Sequence, residues 1–226
     1  PPIHPHCMCY TVIGDVKLTS RLARDPETGK NYKVRGDMTY NEWYEGLSQE
    51  KKTAVKAYKN RHTDEVQYTK YVKRLGGENM PKTLELFQKI KYNDSEKWGD
   101  YKYYYRNIDG RPIEYVKIDR ELAKLGITNK GRAYPVEQLK ITEWSAHSQK
   151  RMVQDGVSKD DAVSFCNKAI AIMKKYPNPE TQYNYYHNNG ITGIRKRDGV
   201  VNTVIGKVRF GEDTEKILEV MNKWLS

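Results

Sequence analysis

Between residues 144 and 208 the hydrophobic pattern of this chain changes from a helical period to a period of two, and that change limits the folds open to it. From Trp144 the residues run WSAHSQKRMVQDGVSKDDAVSFCNKAIAIMKKYP. Asp155-Gly156 interrupts a first helical stretch. Ser158, with Asp161 three residues on, has the spacing of a capping box and opens a second helix. Ala162, Phe165, Cys166, Ala169, Ile170 and Met173 then recur at helical spacing, which predicts an apolar helix face running on until Pro177 and Pro179 stop it. Beyond the prolines the period falls to two. Residues 183–187, 191–197 and 200–209 read as strands, with Asn188-Asn189-Gly190 and Asp198-Gly199 as the turns between them. The pattern predicts an α+β unit in which two helices pack on an antiparallel β-meander. His147 and Arg151 stand four residues apart on the first helix and so share a face.

The rest of the chain is organised around this unit. Asp109-Gly110-Arg111-Pro112 is a punctuation point. After it residues 113–118 (IEYVKI) alternate as a strand, residues 120–125 form a short helix ending at Gly126, and residues 129–135 (NKGRAYP) form a basic loop. Residues 136–141 lead into Trp144, and a last helix over 214–225 buries Ile217, Leu218, Met221, Trp224 and Leu225. Before the punctuation lie short, charged, amphipathic helices. Thr39 and Ser48 cap the first two, a third runs over 64–75, Pro81 opens the fourth, and Ser95 caps the fifth. Little in residues 10–33 is periodic, and Asp25-Pro26-Glu27-Thr28-Gly29-Lys30 reads as a turn or linker. Three segments are expected: an end piece and linker over 1–36, a helical connector over 37–108, and the α+β domain over 109–226.

Charge narrows the partners. The formal net charge is +11, shared between the halves on either side of residue 109, which favours anionic partners and nucleic acid first. No apolar run approaches the length of a membrane span, and no secretion signal is visible. Three cysteines do not make a paired framework, so a reducing compartment fits best. His4, His6, Cys7 and Cys9 have the look of zinc ligands but are crowded together, and no second ligand pair follows. No stoichiometric zinc and no other cofactor are expected.

The chemistry is constrained as much by what is missing. Cys166 sits on the apolar helix face as a core residue. There is no Gly-x-Ser-x-Gly, P-loop or Gly-x-Gly-x-x-Gly motif. The carboxylate pairs Asp160-Asp161 and Glu212-Asp213 fall at helix starts, where they suit the helix dipole. What remains is His, Arg, Lys, Thr and Tyr in a basic domain, a set able to cleave RNA without a metal. The 2′-OH attacks its own phosphodiester, an acid–base group moves the protons, and cations hold the charge of the pentavalent centre. Lys140, His187, Arg195, Arg197 and Lys207 are candidate substrate contacts. Alternation sends Arg195 and Arg197 to one strand face. A protein that binds nucleic acid without cutting it is the alternative.

Two resemblances bear on this reading. PPIHPHCMC resembles the Pro-Pro-x-His-Pro-x-Cys-x-Cys ending of Mu-type phage minor head (head morphogenesis) proteins, in which a Cys-x-x-Cys lies upstream. It implies that the chain is a fragment of a longer capsid protein, with capsid proteins as partners and the phage head and host cytoplasm as its setting. AHSQKRMVQDGVSKDDA followed by VVNTVIGK resembles the phage members of the Barnase–EndoU–colicin–RelE superfamily of RNase toxins, domains found at the C-termini of phage head proteins. That resemblance implies a general acid/base role for His147, a phosphate-binding or His-holding role for Arg151, and a phosphate hydrogen bond from Thr203. It also implies RNA, tRNA included, as substrate and leaves room for an immunity protein as a partner. The arginine that recurs in those proteins near Asp155 is absent, with Gln154 and Asp155 in its place. ADP-ribosyl transfer on the same platform is disfavoured by the lack of a Glu-x-Glu on a late strand.

Overall fold

The computed structural model describes residues 19–174 and 181–225. His4, His6, Cys7, Cys9, Pro177 and Pro179, on which several expectations fall, lie outside the described residues. The chain divides into two compact units, Pro1–Tyr101 and Lys102–Ser226.

In the first unit, the stretch that shows little periodicity holds an antiparallel hairpin, β1 (Ser20–Arg24) and β2 (Asn31–Arg35). The Asp25–Lys30 turn closes it: Asp25 Oδ1 accepts from the amides of Glu27 (3.0 Å) and Thr28 (2.9 Å). Helices α1 (Tyr40–Glu45) and α2 (Gln49–Lys59) start at Thr39 and Ser48 as expected, Thr39 forming a reciprocal capping box with Glu42. Ala23, Trp43 and Val55 share one core, so hairpin and helices pack together and no break falls at residue 36. Then come α3 (Arg61–Leu75), α4 (Leu84–Asn93) and α5 (Ser95–Asn107). Thr83, not Pro81, begins α4. Asp94, not Ser95, caps α5, because its Oδ1 accepts from the Lys97 amide at 2.8 Å. Asp64 is fully buried and its carboxyl oxygens accept from Gln88, Lys91 and Tyr92, as a polar group without access to water requires.

The second unit is α+β. The expected strand over 113–118 and helix over 120–125 are a single helix, α6 (Ile113–Lys124). Alternation in IEYVKI is ambiguous over so short a window. The buried set Ile113, Val116, Ile118 and Leu122 shows that packing selected the helical reading. The basic loop contains β3 (Arg132–Tyr134), and β4 (Glu143–Trp144) precedes α7 (Ala146–Asp155) and α8 (Lys159–Asn167). The apolar face expected to run through Met173 ends with α8. Ala171, Ile172 and Met173 belong instead to β5 (Ala171–Lys174), which is buried on both faces and therefore shows no alternation. β6 (Gln182–His187), β7 (Gly190–Arg195) and β8 (Val200–Gly206) form the expected meander. Residues Lys207–Arg209 turn as a 3-10 helix rather than extending β8, and α9 (Glu212–Leu225) closes the unit.

The sheet has six strands in the order β3-β5-β6-β7-β8-β4, antiparallel except for the β4–β8 pair. Its two faces carry separate cores. Met152, Ala162 and Cys166 of α7 and α8 cover Ile172, Tyr183, Tyr185, Ile194, Val201 and Val204. Ile118, Leu122, Ile217 and Met221 of α6 and α9 cover Ala133, Met173, Tyr186 and Ile191. None of the described helices is long and apolar enough to cross a membrane.

The division of the chain falls inside α5, earlier than the break expected at Asp109. The end of α5 is tied to the turn before α6 and to β3: the Asn107 carbonyl accepts from Arg111 Nη2 (2.8 Å), and Asn107 Oδ1 accepts from Arg132 Nη2 (3.1 Å). A fragment starting at Lys102 is therefore expected to melt cooperatively, and one starting at Asp109 to melt roughly 5 °C or more lower, since about 1 kcal/mol moves a domain of this size by several degrees. Equal melting temperatures in calorimetry would return the boundary to Asp109.

Candidate nucleic-acid interface

Helix α7 is fastened to β8 at both ends. At its start the Ser145 amide donates to the Val201 carbonyl (3.0 Å), the Ser145 hydroxyl donates to the Asn202 carbonyl (3.2 Å), and the same oxygen caps the helix by accepting from the Ser148 amide (3.1 Å). At its end the fully buried Asp155 carboxylate accepts from the Gly206 amide (2.9 Å) and from Arg209 Nε (2.8 Å). Burial alone would raise the Asp155 carboxyl, but Arg209 and the Gly206 amide outweigh it and hold the group below the usual carboxylate range, with Arg151 adding its charge. Ser148 and Met152 face inward. His147 and Lys150 are exposed and Arg151 is half-buried. His147 makes no hydrogen bond, ion pair or ring contact with a described residue.

The sheet offers a second group of polar residues. Between Gly193 and Ile194 the β7–β8 register slips: Gly193 pairs with Thr203 but Ile194 with Val201, leaving Asn202 as the extra residue of a bulge. Thr203 is two residues from Ile205, which packs on the α6/α9 core. Thr203 therefore points to the face opposite the one α7 covers. Around it lie side chains that the sequence reading passed over. Asn202 Nδ2 donates to Gln182 Oε1 (3.3 Å), and Gln182 Nε2 donates to Asn184 Oδ1 (2.7 Å). Gly193 lies beneath them. A Cβ there would stand 2.6 Å from Gln182 Nε2, 2.8 Å from Thr203 Cγ2 and 2.9 Å from Asn184 Oδ1, so only glycine lets these groups converge. The available signal was the polar alternation Gln182-Tyr183-Asn184-Tyr185 opposite a glycine in β7.

The remaining candidates fall at two ends of the sheet. Arg195, Arg197 and Lys140 gather at one end, where the Thr142 amide donates to the Gly199 carbonyl (3.1 Å) and its hydroxyl to the Asp198 carbonyl (2.6 Å). Arg195 closes β7, but Arg197 lies in the turn beyond it, so strand alternation does not place the two on one face. Both instead converge on the Asp198 carboxylate, at 2.8 and 3.3 Å. His187 and Lys207 are at the other end, the Lys207 amide donating to the Asn189 carbonyl (3.1 Å). The His187 ring stacks on Phe165 at 5.3 Å, and its Nδ1 accepts from the Asn189 amide at 3.1 Å. The structure thus brings Lys140, Arg195 and Arg197 together, sets the start of α7 against Val201 and Asn202, and leaves His187 and Lys207 apart from them. No hydrogen bond or ion pair among the described residues joins His147, Arg151 and Thr203.

Burial, with the Lys168 charge, lowers the His187 pKa and favours the neutral ring. A histidine with a depressed folded pKa contributes stability that is complete above its unfolded value near 6.5 and is lost as the pH falls through the folded value. Chemical denaturation at pH 7 and pH 5 should therefore show a fall in stability on acidification that is smaller in His187→Phe, which keeps the stacking but cannot take a proton. An equal fall in the two proteins would remove His187 from the titration.

Cys166 is buried, its thiol pushed up to about 11 by burial, and it serves the core as expected. Among the described residues no group of three or more His, Cys, Asp or Glu is placed to hold a metal. No protein-family model matches the chain, and searches of the curated proteins and of the solved structures return no match.

Proposed function

We propose that the C-terminal unit is a metal-independent endoribonuclease of RNase-toxin type, carried on a phage minor head protein, which cleaves RNA by attack of the 2′-OH on the adjacent phosphodiester. One observation carries this reading. The capped start of α7, with the unengaged His147 in its first turn, and the polar strip containing Thr203 meet on the same bulged residues of β8, Val201 and Asn202. The reactive centre is accordingly a rim at the sheet edge rather than a closed cleft. His147, exposed in the first turn of α7, is the acid–base group. Arg151 holds a phosphate with its planar fork, and Thr203 contributes a hydrogen bond from the sheet side of the rim. Lys140, Arg195 and Arg197 bind the flanking backbone, where phosphate contacts position the chain without reading its sequence. His187 and Lys207, at the far end of the sheet, contact only RNA that extends past the reacting bond.

The alternative, a non-catalytic nucleic-acid-binding capsid protein, draws on the absence of any described group that orients His147. The two readings separate on incubation of the full chain with a defined RNA, with and without EDTA. Cleavage that resists EDTA and leaves a 2′,3′-cyclic phosphate supports the nuclease. Binding without cleavage supports the capsid reading.

A further inference from the structure

We infer that the amide strip of Gln182, Asn184 and Asn202, converging over Gly193 beside Thr203, reads the edge of an unpaired RNA base and gives the domain a base preference. The inference rests on the ribonuclease reading, which assigns no role to the three amides.

The polar groups are left over from the fold rather than used by it. Along the strip the amides bond to one another in one direction, Asn202 to Gln182 to Asn184. Those bonds use one group on each terminal amide. The Asn184 Nδ2 donor, the Asn202 Oδ1 acceptor and the Thr203 hydroxyl have no partner among the described residues. None is a buried orphan, since the only fully buried, unpartnered side-chain atoms described are Arg21 Nε and Arg111 Nε. They face outward on a half-exposed part of the sheet, past the apolar rows that α6 and α9 cover.

Spacing supports the same occupant. Adjacent strands lie about 4.8 Å apart, so a strip across three strands spans roughly 10 Å, long enough to face the whole edge of one nucleobase. Fixed donors and acceptors on such a strip match the edge of a base, as Asn and Gln side chains do when they pair with adenine. The partner is single-stranded because pairing in a duplex occupies the Watson–Crick edges and the A-form major groove is too deep and narrow for side chains to read. The strip carries no aromatic ring, so discrimination comes from hydrogen bonds to an edge rather than from stacking, which tolerates any base. The mutual bonds among the amides lock their orientation before RNA arrives, and a locked donor–acceptor order favours one base over the others. Arg195 and Arg197 lie at the adjoining turn, in position to take the phosphates on either side of that base.

The test uses the full chain carrying His147→Ala, so that RNA is bound but not cut, and fluorescence anisotropy with short labelled oligouridylate, oligoadenylate and oligocytidylate. The tightest and weakest of these should differ by about tenfold or more, the worth of one good base contact. Adding Asn184→Ala should compress the difference to about threefold or less, mainly by weakening the preferred oligonucleotide. Asn184→Asp, which keeps the shape and removes the donor, should do the same and serves if the alanine variant loses its circular dichroism. Arg197→Gln should instead weaken all three alike. A preference that survives in a folded Asn184 variant overturns the strip's role. Wild-type cleavage of RNA with no base preference overturns the strip and leaves the nuclease standing, whereas neither binding nor cleavage of any RNA overturns both.

Discussion

His147→Ala is expected to lower RNA cleavage by about 10²–10⁴-fold, the usual contribution of one general acid–base group. The fold should be unchanged, because the side chain is exposed and makes no hydrogen bond, ion pair or ring contact with a described residue. Arg151→Lys should also lose activity, since a compact ammonium cannot reproduce two parallel hydrogen bonds to a phosphate. The internal 2′-OH is the nucleophile in this mechanism, so a 2′-deoxy analogue of the same sequence should not be cut. Gel-resolved cleavage of the paired substrates, with circular dichroism on each variant, measures all three effects. Full activity in His147→Ala, or equal cutting of the deoxy analogue, removes the mechanism. Thr203 is a sharper case than the sequence suggested. It stands on the opposite sheet face from the body of α7, so its part in the reaction depends on RNA bending around the edge at Asn202.

Asp119→Ala is expected to destabilise the C-terminal unit by about 3–5 kcal/mol, the cost of leaving a buried charge without its partner. Arg111 and Asp119 have side chains 3% and 4% exposed and meet at 2.8 Å. Arg111 Nη1 also donates to the Ala133 carbonyl (2.6 Å), and the Ala133 amide donates to Asp119 Oδ1 (2.7 Å). The pair thus fastens α6 to the outer strand β3, with the Arg111 guanidinium 4.7 Å from the Tyr134 ring. Removing Asp119 strands both the guanidinium and the Ala133 amide. Replacing the pair together, Arg111→Met with Asp119→Leu, should recover much of the loss, because apolar groups of similar volume need no partner. Urea denaturation of the three proteins tests this, and a loss below about 1 kcal/mol in Asp119→Ala would mean that water reaches the pair.

The errors in the sequence reading have one cause. Residues 113–118 alternate well enough to pass for a strand, and only the contact of α6 with α9 selects the helix. Residues 171–174 continue the apolar pattern of α8, yet a strand buried on both faces shows the same unbroken hydrophobicity. β3 and β4 hold three and two residues, too few to express any period. Arg111 sits in what reads as a polar turn, and nothing near it in sequence reveals that it is buried.

Where a residue's partners lie within a few positions, the sequence determined the outcome by itself. Thr39 with Glu42 and Ser158 with Asp161 cap their helices because a side chain three residues away is within reach in any fold. Asp198-Gly199 turns the chain because Gly199 takes φ +72° without strain. Periodicity together with cap and turn residues was enough for α7, the start of α8 and the β6–β8 meander, and with them the α+β class. Tertiary structure decided everything that depends on two distant segments meeting. It set the parallel pairing of β4 with β8, the bulge at Asn202, and the face on which Thr203 points. It also closed the amide strip over Gly193. In a strand the side-chain period is two, so a single extra residue moves every later side chain to the other face, and no local pattern records where that residue falls.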